Sequence, residues 1–140
     1  MFEIDLLKGK TIIITGGGTG LGKSMAVRFA ELGANLVLTS RRQDVLDETS
    51  AEIKQATGAK ILTVAADIRS PEQVADMVAQ SVSRFKKIDG LLNNAAGNFI
   101  SPTEKLSENA FKTIVDIVLL GSFNCTLNAG REMIKSGGGN

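Results

Sequence analysis

The stretch Thr15-Gly16-Gly17-Gly18-Thr19-Gly20-Leu21-Gly22 is where this chain is best equipped to hold an anion. Glycine turns easily through positive φ and leaves its N–H bare for phosphate oxygens. A loop that follows a strand and opens a helix gains a partial positive charge from the helix N-terminus. The context fits: Thr11-Ile12-Ile13-Ile14-Thr15 precedes the loop, and Leu21, Met25, Phe29 and Leu32 follow at helical spacing. Gly16, Gly20 and Gly22 read Gly-x3-Gly-x-Gly, wider than the usual dinucleotide fingerprint. We read it as a dinucleotide turn rather than a Walker loop. A tight connection with no ligand is the competing explanation.

The end of the second strand is where such a turn's ligand is told apart. An acidic residue there accepts the ribose hydroxyls of NAD. From Ala34 to Arg42 this chain has no acid, and the stretch ends Thr39-Ser40-Arg41-Arg42. A guanidinium grips a 2′-phosphate through charge-assisted, bidentate bonds. The pattern implies NADP(H), with Arg41 its reader, against the alternative of two arginines on a solvated helix start. Asp67, in Ala65-Ala66-Asp67-Ile68-Arg69, could accept an adenine amino group; a helix-capping role competes, although Ser70 lies nearer the helix start. Arg69 either meets phosphate or acyl-carrier charge or is plain surface. Asn93-Asn94-Ala95-Ala96-Gly97 ends a fourth apolar run beside the same expected crevice.

Those residues need a scaffold, and composition narrows the choice. The chain has 140 residues, 43% of them hydrophobic and 22% charged, which suits one globular domain. With no His, Tyr or Trp there can be no Ser-His-Asp triad and no histidine metal site. Cys125 is alone, so neither a disulfide nor a thiolate cluster forms within the chain, and a reducing, cytoplasmic setting is expected. A net charge of +1 gives no field for nucleic acid. No continuous apolar run approaches about 20 residues and no signal sequence opens the chain, so no membrane partner is expected.

Short apolar runs alternate with helix-period segments. Strands are expected at 11–15, 35–39, 60–64 and 88–92. Helices are expected from 21 to Gly33, from about Val45 to Gly58, after the Ser70-Pro71 cap, and as one long helix from Ser107 toward Lys135. This alternation predicts an α/β, Rossmann-type, doubly wound parallel sheet with helices on both faces. Four strands and four helices make about half of the full fold, with the fourth strand left as an open edge.

Taken together, Thr15 to Gly22 and Asn93 to Gly97 resemble the short-chain dehydrogenase/reductase family. The resemblance covers essentially the whole chain. It implies that Thr15, Gly16, Gly17, Gly18, Thr19, Gly20, Leu21 and Gly22 bind the cofactor's pyrophosphate side, with Arg41, Asp67, Asn93, Ala95 and Gly97 completing the cofactor site. Asn93 to Glu104 and Asp116-Ile117-Val118-Leu119 are similar, more narrowly, to the family's 2,4-dienoyl-CoA reductases. Most of the family carries a catalytic Asn where this chain has Val118; the dienoyl-CoA reductases depart there too. The narrower resemblance implies that Asn98 is catalytic, donating to the substrate thioester oxygen. It also implies that Arg69, Phe99 and Ser107 contact acyl-CoA. Ser107 has a competing role as a helix N-cap, and Phe99 as core packing.

The family's Tyr-x-x-x-Lys pair lies beyond residue 140, and the chain has no tyrosine. Residues 1–140 are thus expected to be the N-terminal portion of an NADP-binding Rossmann domain, truncated before the Tyr/Lys segment. The implied activity is NADPH-dependent reduction of an unsaturated acyl-CoA thioester, in a homotetramer by family analogy. A 3-oxoacyl thioester or general carbonyl reductase, or a non-catalytic NADP-binding module, are the alternatives.

Overall fold

The computed structural model describes residues 3–97 and 100–140. Four strands, β1 (Thr11–Thr15), β2 (Asn35–Ser40), β3 (Ile61–Ala65) and β4 (Gly90–Leu92), form one parallel sheet in the order β3-β2-β1-β4. Parallel strands need crossovers, and helices covering both faces leave the central strands dry. Ile13, Ile14, Leu36, Val37 and Leu38 are accordingly fully buried. The helices are α1 (Gly20–Glu31), α2 (Gln43–Thr57), α3 (Pro71–Phe85), α4 (Glu108–Val115) and α5 (Ser122–Lys135). One core packs Ile14, Leu36 and Leu38 against Ala26 of α1 and Leu46 and Ile53 of α2. The other packs Ile13 and Val37 against Val74 and Met77 of α3 and Cys125 and Ala129 of α5.

Local signals set the helix limits. Gly58, at φ +71°, ends α2 in the left-handed conformation. The Ser70 hydroxyl accepts from Gln73 N at 3.3 Å, and Pro71 takes the first helical position of α3. Ser107 caps α4 in the same way, accepting from Ala110 N at 3.1 Å.

The structure departs from the sequence expectations in several places. Strand β4 begins at Gly90 rather than Ile88 because the Asp89 carboxylate takes the Thr11 N–H at 2.9 Å, in place of a main-chain carbonyl. Strand β3 is shifted by one residue, to Ile61–Ala65. The long helix is one continuous run, Glu108–Lys135, with a π-helical segment at Asp116–Gly121 between α4 and α5. By length and composition alone that run is apolar enough to cross a bilayer, contrary to expectation. No unbroken apolar stretch marks it; Ile117-Val118-Leu119-Leu120 lift the average between polar neighbours. The outer edge of β4 is not wholly bare either. Asn140 N donates to Asp89 O at 2.9 Å and Leu91 N to Asn140 O at 2.8 Å, the bonding of a parallel ladder. Gly137 and Gly138, at φ +96° and +122°, turn the chain back to reach it.

Cys125 is fully buried between α5 and the sheet, and burial pushes its thiol up to about 11. The thiolate is the reactive species. The folded protein is therefore expected to resist a maleimide or disulfide reagent near pH 8 and to take up one equivalent in denaturant, read by mass spectrometry.

Candidate functional site

All four strands point the same way, so their C-terminal ends and following loops gather at one edge of the sheet. The glycine turn stands at the end of β1. Gly16 has φ +66°, a conformation that side chains rarely adopt, and a Cβ there would lie 3.0 Å from the Asn94 amide. Gly22 sits so close beneath it that a Cβ would overlap the Gly16 carbonyl and come within 2.6 Å of Asn94 Nδ2. Two backbones and one amide thus occupy a space with no room for a side chain.

Thr15 fixes the turn to the neighbouring strand. Its hydroxyl donates to Leu92 O at 3.3 Å and accepts from Asn94 N at 3.0 Å and Ala95 N at 2.9 Å. Asn94 Nδ2 donates in return to Thr15 O at 3.0 Å and Gly16 O at 3.3 Å. With one proton and two lone pairs, the Thr15 hydroxyl is fully used inside the protein. The expectation of Thr15 as a ligand contact is therefore corrected to a buried strut, 1% exposed.

Helix α1 begins at the cleft without a cap. Its N-cap residue, Thr19, makes no side-chain bond, and its first turn carries no acidic residue. By contrast, α3 and α4 have both a serine cap and a glutamate in the first turn. Its N–H groups and partial charge are left to whatever the cleft receives. Beneath the turn, Thr49 of α2 donates from Oγ1 to Gly18 O at 2.7 Å.

The opposite rim comes from β2 and β3. Arg42 is held by Asp44 at 3.0 Å, whereas Arg41 makes no ion pair among the described residues. Asp67 and Arg69, expected to serve different ligands, are joined instead. Arg69 Nε lies 2.9 Å from Oδ1 and Nη2 lies 2.5 Å from Oδ2, and the Arg69 N–H adds a third donor at 3.0 Å. The Arg69 guanidinium beside it holds the Asp67 carboxyl below its ordinary range, with help from the charge of Arg41. Sequence spacing places the two side chains near one another but carries no signal that they share a fork.

The cleft between these rims has a volume of about 420 Å³, within the usual size of a ligand site. Gly16, Gly18, Thr19, Arg41, Asp67, Arg69 and Ala95 line it. The floor adds Thr39, Val45, Ile68 and Ile117, which the sequence did not single out. Of these, Thr39 has a buried hydroxyl with no partner among the described residues. Ile117 comes from the π-helical segment; the resemblance drew attention there to Val118, not to the residue before it. Gly17 and Gly22 are buried, and a Cβ on Gly97 would collide with Ile117 at 2.7 Å; these three shape the cleft without lining it. Gly20 is exposed at φ +54° and Leu21 is 75% exposed on the first turn of α1, both outside the lining. Asn93 turns its amide to Thr126 Oγ1 at 3.0 Å. Ser107 is a helix cap, so the competing role wins there. Asn98 and Phe99 lie outside the described residues.

One motif needs correcting. Gly17 to Ser24 also spell Gly-x4-Gly-Lys-Ser, the Walker pattern. The structure disposes of it by geometry: Lys23 lies within α1 and turns to Glu52 of α2, with Nζ 2.5 Å from the carboxylate. It does not line the cleft.

These features fit one half of a dinucleotide: bare N–H groups for the diphosphate, an unpaired arginine, and an apolar slot edged by a carboxylate. Residues 10–140 match the family model for short chain dehydrogenase. The chain belongs to the short-chain dehydrogenase family. A probable 2,4-dienoyl-CoA reductase of Caenorhabditis elegans is 47% identical over 93% of this chain and 42% of its own length. Its counterpart in Bacillus subtilis is 43% identical over 91% and 50%. A solved short chain dehydrogenase from Bacillus anthracis matches with a TM-score of 0.87 at 45% identity, covering 93% of this chain and 54% of that one. At 29% identity, the fold is shared with an NAD+-bound xylitol dehydrogenase over 96% of this chain and 52% of that one, TM-score 0.90. It is also shared with L-sorbose reductase of Gluconobacter frateurii complexed with NADPH over 95% and 51%, TM-score 0.89. The chain spans about half the length of the relatives it matches. These matches share with this chain the family and the fold that gathers the strand ends at one edge.

Gly22→Ala is expected to abolish nucleotide binding and lower the melting temperature, since the new methyl meets backbone rather than a yielding side chain; calorimetry with and without NADPH checks both. The Asp67–Arg69 pair contributes stability that is complete above the unfolded carboxyl pKa of about 3.9 and is lost as pH falls through the lower folded value. In Arg69→Ala the Asp67 titration midpoint should move up toward that ordinary value, followed by carboxyl carbon NMR shifts.

Proposed function

We propose that this chain carries the adenosine side of an NADPH-dependent reductase acting on 2,4-dienoyl-CoA thioesters. The observation that carries the choice of cofactor is Arg41, lining the cleft without an ion pair among the described residues, at the end of a strand free of acids. A 2′-phosphate would replace no existing partner there. Arg42, held by Asp44, is the lesser contributor.

When bound, NADPH supplies the hydride. The residues of this chain hold and orient: the glycine turn and the α1 N-terminus take the diphosphate, Arg41 the 2′-phosphate, and Asp67 the amino group of adenine packed over Ala95 and Ile117. Asp67 remains ionised beside Arg69, so it acts as an acceptor at every physiological pH. Reduction of a conjugated thioester builds negative charge on the thioester oxygen, and Asn98 is the donor proposed for it. Val118, in the π-helical segment, supports a dienoyl over an oxoacyl substrate, because the latter reductases resemble the family members with Asn at that position. Phe99 and Arg69 complete the acyl-CoA wall. Arg69 would have to divide its donors between Asp67 and the ligand.

Phe111, Leu119 and Phe123 are exposed along the Glu108–Lys135 run and support assembly of several copies, a tetramer by family analogy. The single buried cysteine suits a cytoplasmic setting. Residues 1–140 contain no tyrosine, so alone they are proposed to bind nucleotide without turning over dienoyl-CoA.

Arg41→Asp is expected to weaken NADPH binding roughly ten- to a hundredfold while leaving NADH nearly unchanged, the worth of a charge-assisted phosphate contact of about 1.5–3 kcal/mol. Competitive titration reads it, and an unchanged NADPH/NADH ratio refutes the assignment. In a chain extended through the Tyr/Lys segment, Asn98→Ala should lower kcat by about 10²–10³ with a smaller change in KM. A normal kcat would remove Asn98 from the chemistry.

A further inference from the structure

We infer that Thr49, a buried residue of α2, is a positioning residue that sets the grip of the glycine turn on a diphosphate by fixing the direction of one peptide group. The inference rests on the dinucleotide reading of the cleft and deepens it.

A threonine inside a helix ordinarily bonds back to the carbonyl one turn earlier. Thr57, on the same helix, does so, donating to Ile53 O at 2.7 Å; Thr113 of α4 donates likewise to Asn109 O at 2.8 Å. Thr49 does not. At 2% exposure it reaches out of α2 and donates to Gly18 O at 2.7 Å. Gly18 lies close upon that helix, since a Cβ there would stand 3.0 Å from Val45 Cγ1.

The chain contains no cis peptide bond among the described residues, so the Gly18–Thr19 unit is planar and trans. With its C=O tied down to α2, its N–H points the opposite way. No main-chain carbonyl among the described residues takes that Thr19 N–H, and Gly18 and Thr19 both line the cleft. Gly18 leaves this peptide free to rotate on one side, while on the other a flip would carry Thr19 from φ −149° to positive φ. A flip would turn a carbonyl oxygen toward the phosphate position and would strand the buried Thr49 hydroxyl. The bond from Thr49 adds to the backbone preference of Thr19 and holds the donor-out orientation before any ligand arrives.

The test uses displacement of NADPH fluorescence by two fragments: ADP, which reports the turn, and 2′-AMP, which reports the Arg41 side. Thr49→Val keeps the side chain's shape and removes the donor; Thr49→Ser keeps the donor. Thr49→Val should bind ADP and NADPH about tenfold more weakly and leave 2′-AMP within twofold, and Thr49→Ser should bind ADP as the parent does. Thr49→Ala provides a second donor-free variant should the valine one misfold, with thermal denaturation as the check on folding. Equal losses for ADP and 2′-AMP would mean a merely structural role and overturn the inference. So would an unchanged ADP affinity in a donor-free variant, or a serine variant that fails to recover it. If the parent chain bound NADPH, ADP and 2′-AMP all undetectably, the dinucleotide reading itself would fall, an outcome separable from the others.

Discussion

The cleft depends on one hydroxyl. Thr15 ends β1 with its side chain turned toward β4, and its oxygen engages a carbonyl and two N–H groups of the neighbouring strand end. These bonds stop β1 and β4 at the same level, so that the glycine turn and the Asn94-Ala95-Ala96 stretch leave the sheet side by side. Asn94 closes the arrangement from the other strand by bonding the two carbonyls that follow. In a dry site each of these groups would cost about 1–3 kcal/mol if left unpaired, which makes the set all-or-none. Without it Gly16 and Gly22 would have no fixed frame in which to touch.

The same site shows a division between residues that hold the frame and residues that face the cleft. Thr15, Asn94, Gly22 and Thr49 spend their polar groups, or their lack of a side chain, on the protein. Thr19 leaves its N–H and hydroxyl, and Arg41 its guanidinium, without a protein partner among the described residues. A site built this way is formed before it is filled, so a ligand loses little in ordering it. The Asp67–Arg69 fork is the exception, because each of its members already has the other as partner.

Much of the architecture was legible because the controlling signals are local. Aliphatic runs, the Ser70-Pro71 cap and Gly58 set strands and helix ends through propensity and φ, and the alternation of elements dictated a parallel sheet. The glycine turn, Arg41 and Asp67 were legible because a parallel sheet brings every strand's C-terminal end to one edge. What stayed hidden was set by contacts between distant segments. Thr49 lies 31 residues from the carbonyl it holds, and nothing in its helical surroundings distinguishes it from Thr57. Ile117 enters the cleft from a helix that widens locally. The role of Thr15 was misassigned for a related reason: sequence shows that it borders the glycine turn, but only the paired strand shows that its hydroxyl is already used. Lys23 is the reverse case, a motif residue whose chemistry is cancelled by Glu52 on another helix.

The strand order also sets what the site costs to assemble. Neighbours β1 and β2 are joined by pairs such as Thr11 and Asn35, separated by 24 positions, whereas the β1–β4 pair Ile12 and Gly90 closes a loop of 78. Loop closure grows as the logarithm of length, so the second pairing costs about 1 kcal/mol more in chain entropy. It also gains less, since β4 contributes three residues to the ladder. The β1-α1-β2-α2-β3 unit holds the pairings of lower entropic cost, with the glycine turn resting on α2. The wall of Asn94 to Ala96 depends on the costlier pairing, that with β4. Loss of the β1–β4 pairing alone would leave this chain its glycine turn and no cleft.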